Sequence, residues 1–144
     1  MIAIGSDYGG YGLKQKVIRY LEEKGIPCED MGCHGEAGCD YPVFGHAVAK
    51  AVAEGKCEWG IVICTTGIGI SISANKVPGI RCALCSDTFS AKMTRLHNDA
   101  NVLAMGAGIV GENLALDIVE TFLNTDFSGE ERHRRRIDLI EKTE

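Results

Sequence analysis

The stretch Trp59-Gly60-Ile61-Val62-Ile63-Cys64-Thr65-Thr66-Gly67-Ile68-Gly69-Ile70-Ser71 decides the fold. Its first six residues are apolar with no polar alternation, the pattern of a strand buried on both faces at the centre of a parallel sheet. Cys64 ends the run. Gly67 and Gly69 then make a turn that leads towards a helix.

Working outward, the chain keeps alternating short apolar runs with longer amphipathic ones. Ile2–Gly5 reads as a strand. Tyr11–Lys24 carries Leu13, Val17, Ile18 and Leu21 at helical spacing, and Gly25 stops it. Pro27–Met31 is a second strand, followed by a polar loop to Tyr41. Pro42 opens a helix through about Glu54, with Val43, His46, Ala47 and Ala51 on related faces. Beyond the decisive stretch come a strand at Gly79–Leu84, a helix at Ser86–Leu96, a strand at Asn101–Met105 and a helix at Glu112–Leu123. An arginine-rich helix at Glu130–Lys142 closes the chain.

This order predicts an α/β fold: one domain over 1–144, a Rossmann-like open parallel five-stranded sheet, helices on both faces and a C-terminal helix. Such sheets bind ligands beyond the carboxyl ends of their strands. The loops to search are therefore Ser6–Gly10, Thr65–Ser71, Ser86–Thr88 and the region after Met105.

Composition narrows the function. The chain has 144 residues, 45% hydrophobic and 24% charged, with a net charge of −5. An acidic balance argues against nucleic acid as the main partner. No run approaches the ~18 apolar residues of a membrane span. Met1 leads straight into Ile2-Ala3-Ile4-Gly5 with no signal-peptide pattern, which predicts a cytoplasmic protein. Seven cysteines in a chain with its own core read as reduced thiols. Cys82 and Cys85 have CxxC spacing without a second pair, and Cys33, His34 and Cys39 match no strong zinc signature. Both groups are read as structural, and no metal is expected.

The loop Cys64–Ser71 carries the most chemistry. Its glycines let backbone N–H groups converge, as in a nest at a helix N-terminus that binds anions or an oxyanion. The same positive end favours a thiolate. A dinucleotide fingerprint would need glycine at position 72, which is Ile72. A P-loop would need Gly-Lys-Ser/Thr, which is absent. A cysteine phosphatase would place arginine where Ile70 stands. The alternative is a core cysteine beside a tight turn.

Three other groups carry a functional and a plain reading. His97, within His97-Asn98-Asp99-Ala100-Asn101, is a candidate general acid or base, while Asn98 and Asp99 also suit a turn. Asp7 follows the first strand and could shuttle protons or cap a helix. Arg132 and Arg136 share a helical face and suit phosphate oxygens, or form a solvated face with Glu130 and Glu131.

Together these motifs resemble the B-type ribose-5-phosphate isomerases and the related galactose-6-phosphate isomerase subunits. The matching segments are Gly5-Ser6-Asp7, Asp40-Tyr41-Pro42, Ile63–Ser71, Ala74–Arg81, His97–Leu103, and Arg132-His133 with Arg136. The resemblance spans nearly the whole chain. It implies aldose–ketose isomerisation of a sugar phosphate through a cis-enediolate, without metal or other cofactor. The first candidate pair is ribose 5-phosphate and ribulose 5-phosphate.

By position, Cys64 is then the base, Thr66 its helper, His97 the ring-opening group and Asp7 the carrier of the hydroxyl proton. Gly67, Ile68, Gly69, Ile70 and Ser71 hold the enediolate oxygen, Arg132 and Arg136 the phosphate. Tyr8 and Asn98 fall on substrate-binding positions. The resemblance also implies a homodimer or dimer of dimers with sites built from two chains. Two positions depart from the pattern: Tyr8 replaces a histidine and Gly108 an arginine. They keep open another aldose or a six-carbon aldose phosphate as substrate. A sugar-phosphate-binding protein without turnover is the further alternative.

Overall fold

The computed structural model describes residues 1–142, and Thr143 and Glu144 lie outside the described residues. Successive side chains on a strand point to opposite faces, and here they feed two separate cores. On one face Ile2, Ile4, Ile61, Ile63, Leu103 and Met105 meet Leu13, Val17 and Leu21 from helix α1 (Tyr11–Glu23) and Ile118, Val119 and Phe122 from α5 (Glu112–Leu123). On the other, Ala3, Val62, Cys64, Val102 and Ala104 meet Val48, Ala49 and Val52 from α2 (Tyr41–Ala53) and Ile70 and Ala74 from α3 (Ile68–Asn75).

The five strands are β1 (Ile2–Ser6), β2 (Cys28–Asp30), β3 (Trp59–Cys64), β4 (Cys82–Leu84) and β5 (Val102–Gly106). They pair in parallel in the order β2-β1-β3-β5-β4. The apolar strand β3 is central, as its sequence requires. The edge strands β2 and β4 have three residues each, and short edges offer little template for unwanted pairing. Helix α4 (Thr88–Met93) precedes β5, and α6 (Glu131–Glu141) ends the described chain. Among the described residues no helix is long and apolar enough to cross a membrane.

Three expectations need correction. The fourth strand starts at Cys82, not Gly79. Side-chain amides take the preceding backbone groups: Asn101 Oδ1 accepts the Arg81 N–H at 2.9 Å, and Asn75 Oδ1 accepts the Cys82 N–H at 2.8 Å. The helix expected over Ser86–Leu96 starts at Thr88, capped by Asp87, whose Oδ1 accepts the Ser90 N–H at 2.6 Å. It then widens into a π-helical turn over Thr94–Asn98. The reduced-thiol reading holds for Cys28, Cys57, Cys64, Cys82 and Cys85. It fails for Cys33 and Cys39, which are joined in a disulfide with Cα atoms 6.2 Å apart. The polar loop folds back on itself between them, a geometry that spacing alone does not reveal.

Lys14 is fully buried on α1. Its ammonium pairs with Asp30 Oδ1 at 2.6 Å and donates to the Cys33 carbonyl. A buried charge is tolerated only when so paired, and this one pins β2 and the β2–α2 loop against α1. Ser6 completes the join: its N–H donates to the Gly32 carbonyl and its carbonyl accepts the Cys33 N–H, both at 2.8 Å.

Candidate active site

Strands β1 and β3 are neighbours, with Ser6 level with Ile63. Asp7 and Cys64 therefore leave the sheet side by side at its carboxyl edge. The Asp7 N–H donates to the Ile63 carbonyl at 3.3 Å, and Asp7 Oδ1 accepts the Gly10 N–H at 2.9 Å. Cys64 is buried, and its sulfur accepts the Gly67 N–H at 3.1 Å. Thr66 Oγ1 accepts the Ile68 N–H at 3.2 Å.

The expected nest of amides over Gly67–Ser71 is narrower than its spacing suggests. The Gly67 and Ile68 amides are taken as above, and the Ser71 N–H donates to the Gly67 carbonyl at 3.1 Å. Among the described residues the amides of Gly69 and Ile70 have no protein partner. A helix N-terminus with such free donors is ready for an anion. Ile70 can offer only its backbone, since its side chain is core.

The turn depends on two glycines. Gly67 has φ +79°, and a Cβ there would lie 2.7 Å from the Met105 carbonyl carbon. A Cβ at Gly69 would lie 2.6 Å from the Tyr41 ring. Tyr41 therefore lies directly against the amide turn, a neighbour that sequence reasoning missed. The motif Asp40-Tyr41-Pro42 was its only signal. Tyr8 is exposed. The Gly108 N–H donates to the Thr65 carbonyl at 2.8 Å, and a Cβ at position 108 would lie 3.1 Å from that oxygen.

A second cluster forms elsewhere. His97 and Asn98 on the π-helical turn, with Arg132, His133 and Arg136 on α6, line a cavity of about 270 Å³. Two arginines hold the turn. Arg81 donates to the Asn98 carbonyl at 2.8 Å and the Asp99 carbonyl at 3.0 Å, and it pairs with Glu141 on α6. Arg95 is buried over the Trp59 ring, 4.3 Å from its centroid. It also bonds Asp99 Oδ1 at 2.8 Å. Asp99, at φ +45°, ends the turn in the left-handed region. Arg132 lies 3.3 Å from Glu130, as the plain surface reading anticipates. The His133 ring is held below the usual histidine range, first by burial and then by its neighbour His97.

Topology keeps the two clusters apart within one chain. Cys64 is level with Gly106 at the carboxyl end of β5, and Gly60 is level with Val102 at its amino end. His97 precedes Val102 in the chain, on the turn that enters β5 at its amino end. Four steps of about 3.3 Å from Gly60 to Cys64 separate the edges by roughly 13 Å. The rule that ligands gather at the carboxyl edge found the first cluster and could not place the second.

One further group has metal-ligand chemistry. Cys33, Glu36 and Cys39 bring two sulfurs and a carboxylate within 4.8 Å. Their sulfurs are joined to each other, which removes the thiolates that a metal would need.

Comparison with known proteins matches nearly the whole chain. A profile described as Ribose/Galactose Isomerase matches residues 2–140. A putative sugar phosphate isomerase of Bacillus subtilis is 50% identical over 140 residues, 96% of this chain and 93% of that protein. Ribose-5-phosphate isomerase B of Escherichia coli is 45% identical over 139 residues, with the same two coverages. The solved structure of Clostridium thermocellum ribose-5-phosphate isomerase B superposes with a TM-score of 0.96 at 53% identity, covering 98% of this chain and 95% of that one.

Proposed function

The chain belongs to the ribose/galactose isomerase family, and from that premise we propose that it interconverts an aldose phosphate and a ketose phosphate, with ribose 5-phosphate and ribulose 5-phosphate as the first candidate pair. The observation that carries this reading is the Cys64 sulfur, 3.1 Å from the Gly67 amide, next to two amides without a partner among the described residues and beside Asp7, which follows the adjacent strand.

Isomerisation needs a base at C2, a donor array for the enediolate oxygen and a carrier for the hydroxyl proton. Cys64 takes the proton from C2 of the open-chain aldose. The C–H electrons form the C1–C2 double bond, and the carbonyl π electrons move onto O1. The free amides of Gly69 and Ile70 hold that charge, with Gly67, Ile68 and Ser71 shaping the turn around it. Asp7 moves the proton between O2 and O1, and Thr66 orients the thiol. Cys64 returns its proton to C1, which completes the ketose without net oxidation. His97 opens the sugar ring beforehand by proton transfer at the ring oxygen. Arg132 and Arg136 grip the phosphate by charged hydrogen bonds, and Tyr8 and Asn98 complete the substrate's surroundings. No metal takes part.

The separation of the two clusters supports a site shared between two copies of the chain. Cys64, Thr66 and Asp7 come from one copy, and His97, Asn98, Arg132 and Arg136 from the other. A homodimer is the smallest assembly that does this, and a dimer of dimers keeps the same pairing. We assign the protein to the cytoplasm on the same reading.

Tyr8 and Gly108 favour a second reading within the same chemistry, in which another aldose phosphate is preferred. A panel of four-, five- and six-carbon aldose phosphates with matched free aldoses, each with kcat/KM, tests both. Highest kcat/KM on ribose 5-phosphate supports the first reading, and a clear preference for another member supports the second. Absence of turnover on all of them leaves only sugar-phosphate binding.

A further inference from the structure

His97 has an aromatic neighbour with an anchor of its own. The ring of His133 lies against it, with centroids 4.4 Å apart and planes inclined by 40°. His133 sits in the first turns of α6 and is only 4% exposed. Its Nδ1 lies 2.8 Å from Ser128 Oγ. That oxygen already accepts the Glu130 N–H at 3.2 Å, so its own proton is free for Nδ1. A hydroxyl donating to Nδ1 leaves the ring proton on Nε2. Ser128 is itself tied to the π-helical turn, where its N–H donates to the carbonyl of Leu96 at 3.2 Å, one residue before His97. The backbone of Ser128 thus grips the turn that bears His97, and its hydroxyl grips the ring that packs on His97.

We propose that His133, held through Ser128, is a positioning residue that fixes the His97 imidazole for proton transfer at the substrate's ring oxygen. The inference rests on the reading of His97 as the ring-opening group. An exposed histidine on a widened turn would otherwise sample several ring orientations, and proton transfer demands one. A protonated His133 would place two positive rings in contact. The groups that face it decide against that state: burial and the neighbouring His97 disfavour the charge, Arg132 and Arg136 add to this, and Glu130 alone opposes it.

Ring opening can be observed without isomerisation. With Cys64→Ala as background, the remaining catalysed event is interconversion of the two anomers of ribose 5-phosphate, read by NMR saturation transfer. In that background His133→Ala and His133→Phe are compared with the parent, together with Ser128→Ala. We expect His133→Ala to slow anomer exchange by about tenfold or more, part of the ~10²–10⁴-fold that a proton-transferring group supplies. His133→Phe, which keeps a ring but loses the Ser128 anchor, should recover part of that loss. Ser128→Ala should cost less than His133→Ala and add nothing to it in the double variant, since both act through one contact. In the Cys64-intact protein the loss should fall on kcat, with KM for the phosphorylated sugar nearly unchanged. The pH profile of exchange should also move. Unchanged exchange and an unchanged pH profile in folded His133→Ala and His133→Phe would overturn the proposal. If the parent Cys64→Ala protein accelerates no anomer exchange, the role of His97 itself is wrong, and this inference falls with it.

Discussion

Cys64 and Gly67 are joined by a hydrogen bond from the glycine amide to the sulfur, 3.1 Å long, across the turn that leaves β3. The bond ties the sulfur to the turn whose later amides, those of Gly69 and Ile70, have no partner among the described residues. The thiol and the anion donors are thus fixed relative to one another by backbone rather than by flexible side chains. Gly67 can take this position because its φ is +79°.

Cys64→Ala should reduce kcat by about 10²–10⁴-fold, the usual worth of a general base. The change removes one buried atom and leaves no charge unpaired, so the fold should persist. Far-UV circular dichroism and a melting curve check the fold, and steady-state kinetics check the rate. Near wild-type kcat in the folded variant would remove Cys64 from the mechanism.

Mixing two inactive variants tests the shared site. Cys64→Ala and His97→Asn each damage one half of every site. If sites are built across two copies, randomly exchanged dimers hold one intact site in half of the molecules, restoring about a quarter of full activity. Refolding the two variants together and assaying the mixture gives the answer. A mixture no more active than its parts would mean that each chain supplies its own complete site.

Arg136→Ala should mainly raise KM for a phosphorylated sugar. A charged hydrogen bond is worth about 1.5–3 kcal/mol, or roughly 10–150-fold. Some of the loss can fall on kcat, because phosphate binding also holds the reacting carbons in place. A free aldose should be almost indifferent to the change. KM for paired phosphorylated and free sugars decides it, and equal behaviour of both would leave these arginines as surface charge.

Asp30→Ala should destabilise the fold by about 3–5 kcal/mol, because it strands the buried Lys14 ammonium. Replacing both partners, as Lys14→Met with Asp30→Leu, should recover much of that loss. Urea midpoints compare the two. An Asp30→Ala protein as stable as the parent would show that the Cys33 carbonyl satisfies Lys14 by itself.

Much of this was legible in the chain. The apolar run of β3 fixed its place at the sheet centre, and the alternation of Ile2 with Ala3, or Val62 with Ile63, fed two cores as the strand period requires. The Cys64–Ser71 turn was also readable, because glycine spacing is local chemistry. What could not be read depends on distant partners. The π-helical turn at His97 is held by Arg81 and Arg95, the start of β4 by Asn75 and Asn101. The nest shrinks to Gly69 and Ile70 because Thr66 and Cys64 consume the first amides. The Cys33–Cys39 pairing depends on how the loop folds back, and the contact of Tyr41 with Gly69 joins two helices through space.

The most direct measurement is proton NMR of ribose 5-phosphate in deuterated water with wild type and Cys64→Ala. Wild type should form ribulose 5-phosphate with solvent deuterium entering the carbon-bound positions at C1 or C2, as expected for transfer through an exchangeable thiol. Cys64→Ala should show neither ketose nor exchange above the enzyme-free rate. Deuterium incorporation by Cys64→Ala at the wild-type rate would rule out Cys64 as the base, because the enediolate would then form without the thiol assigned to make it.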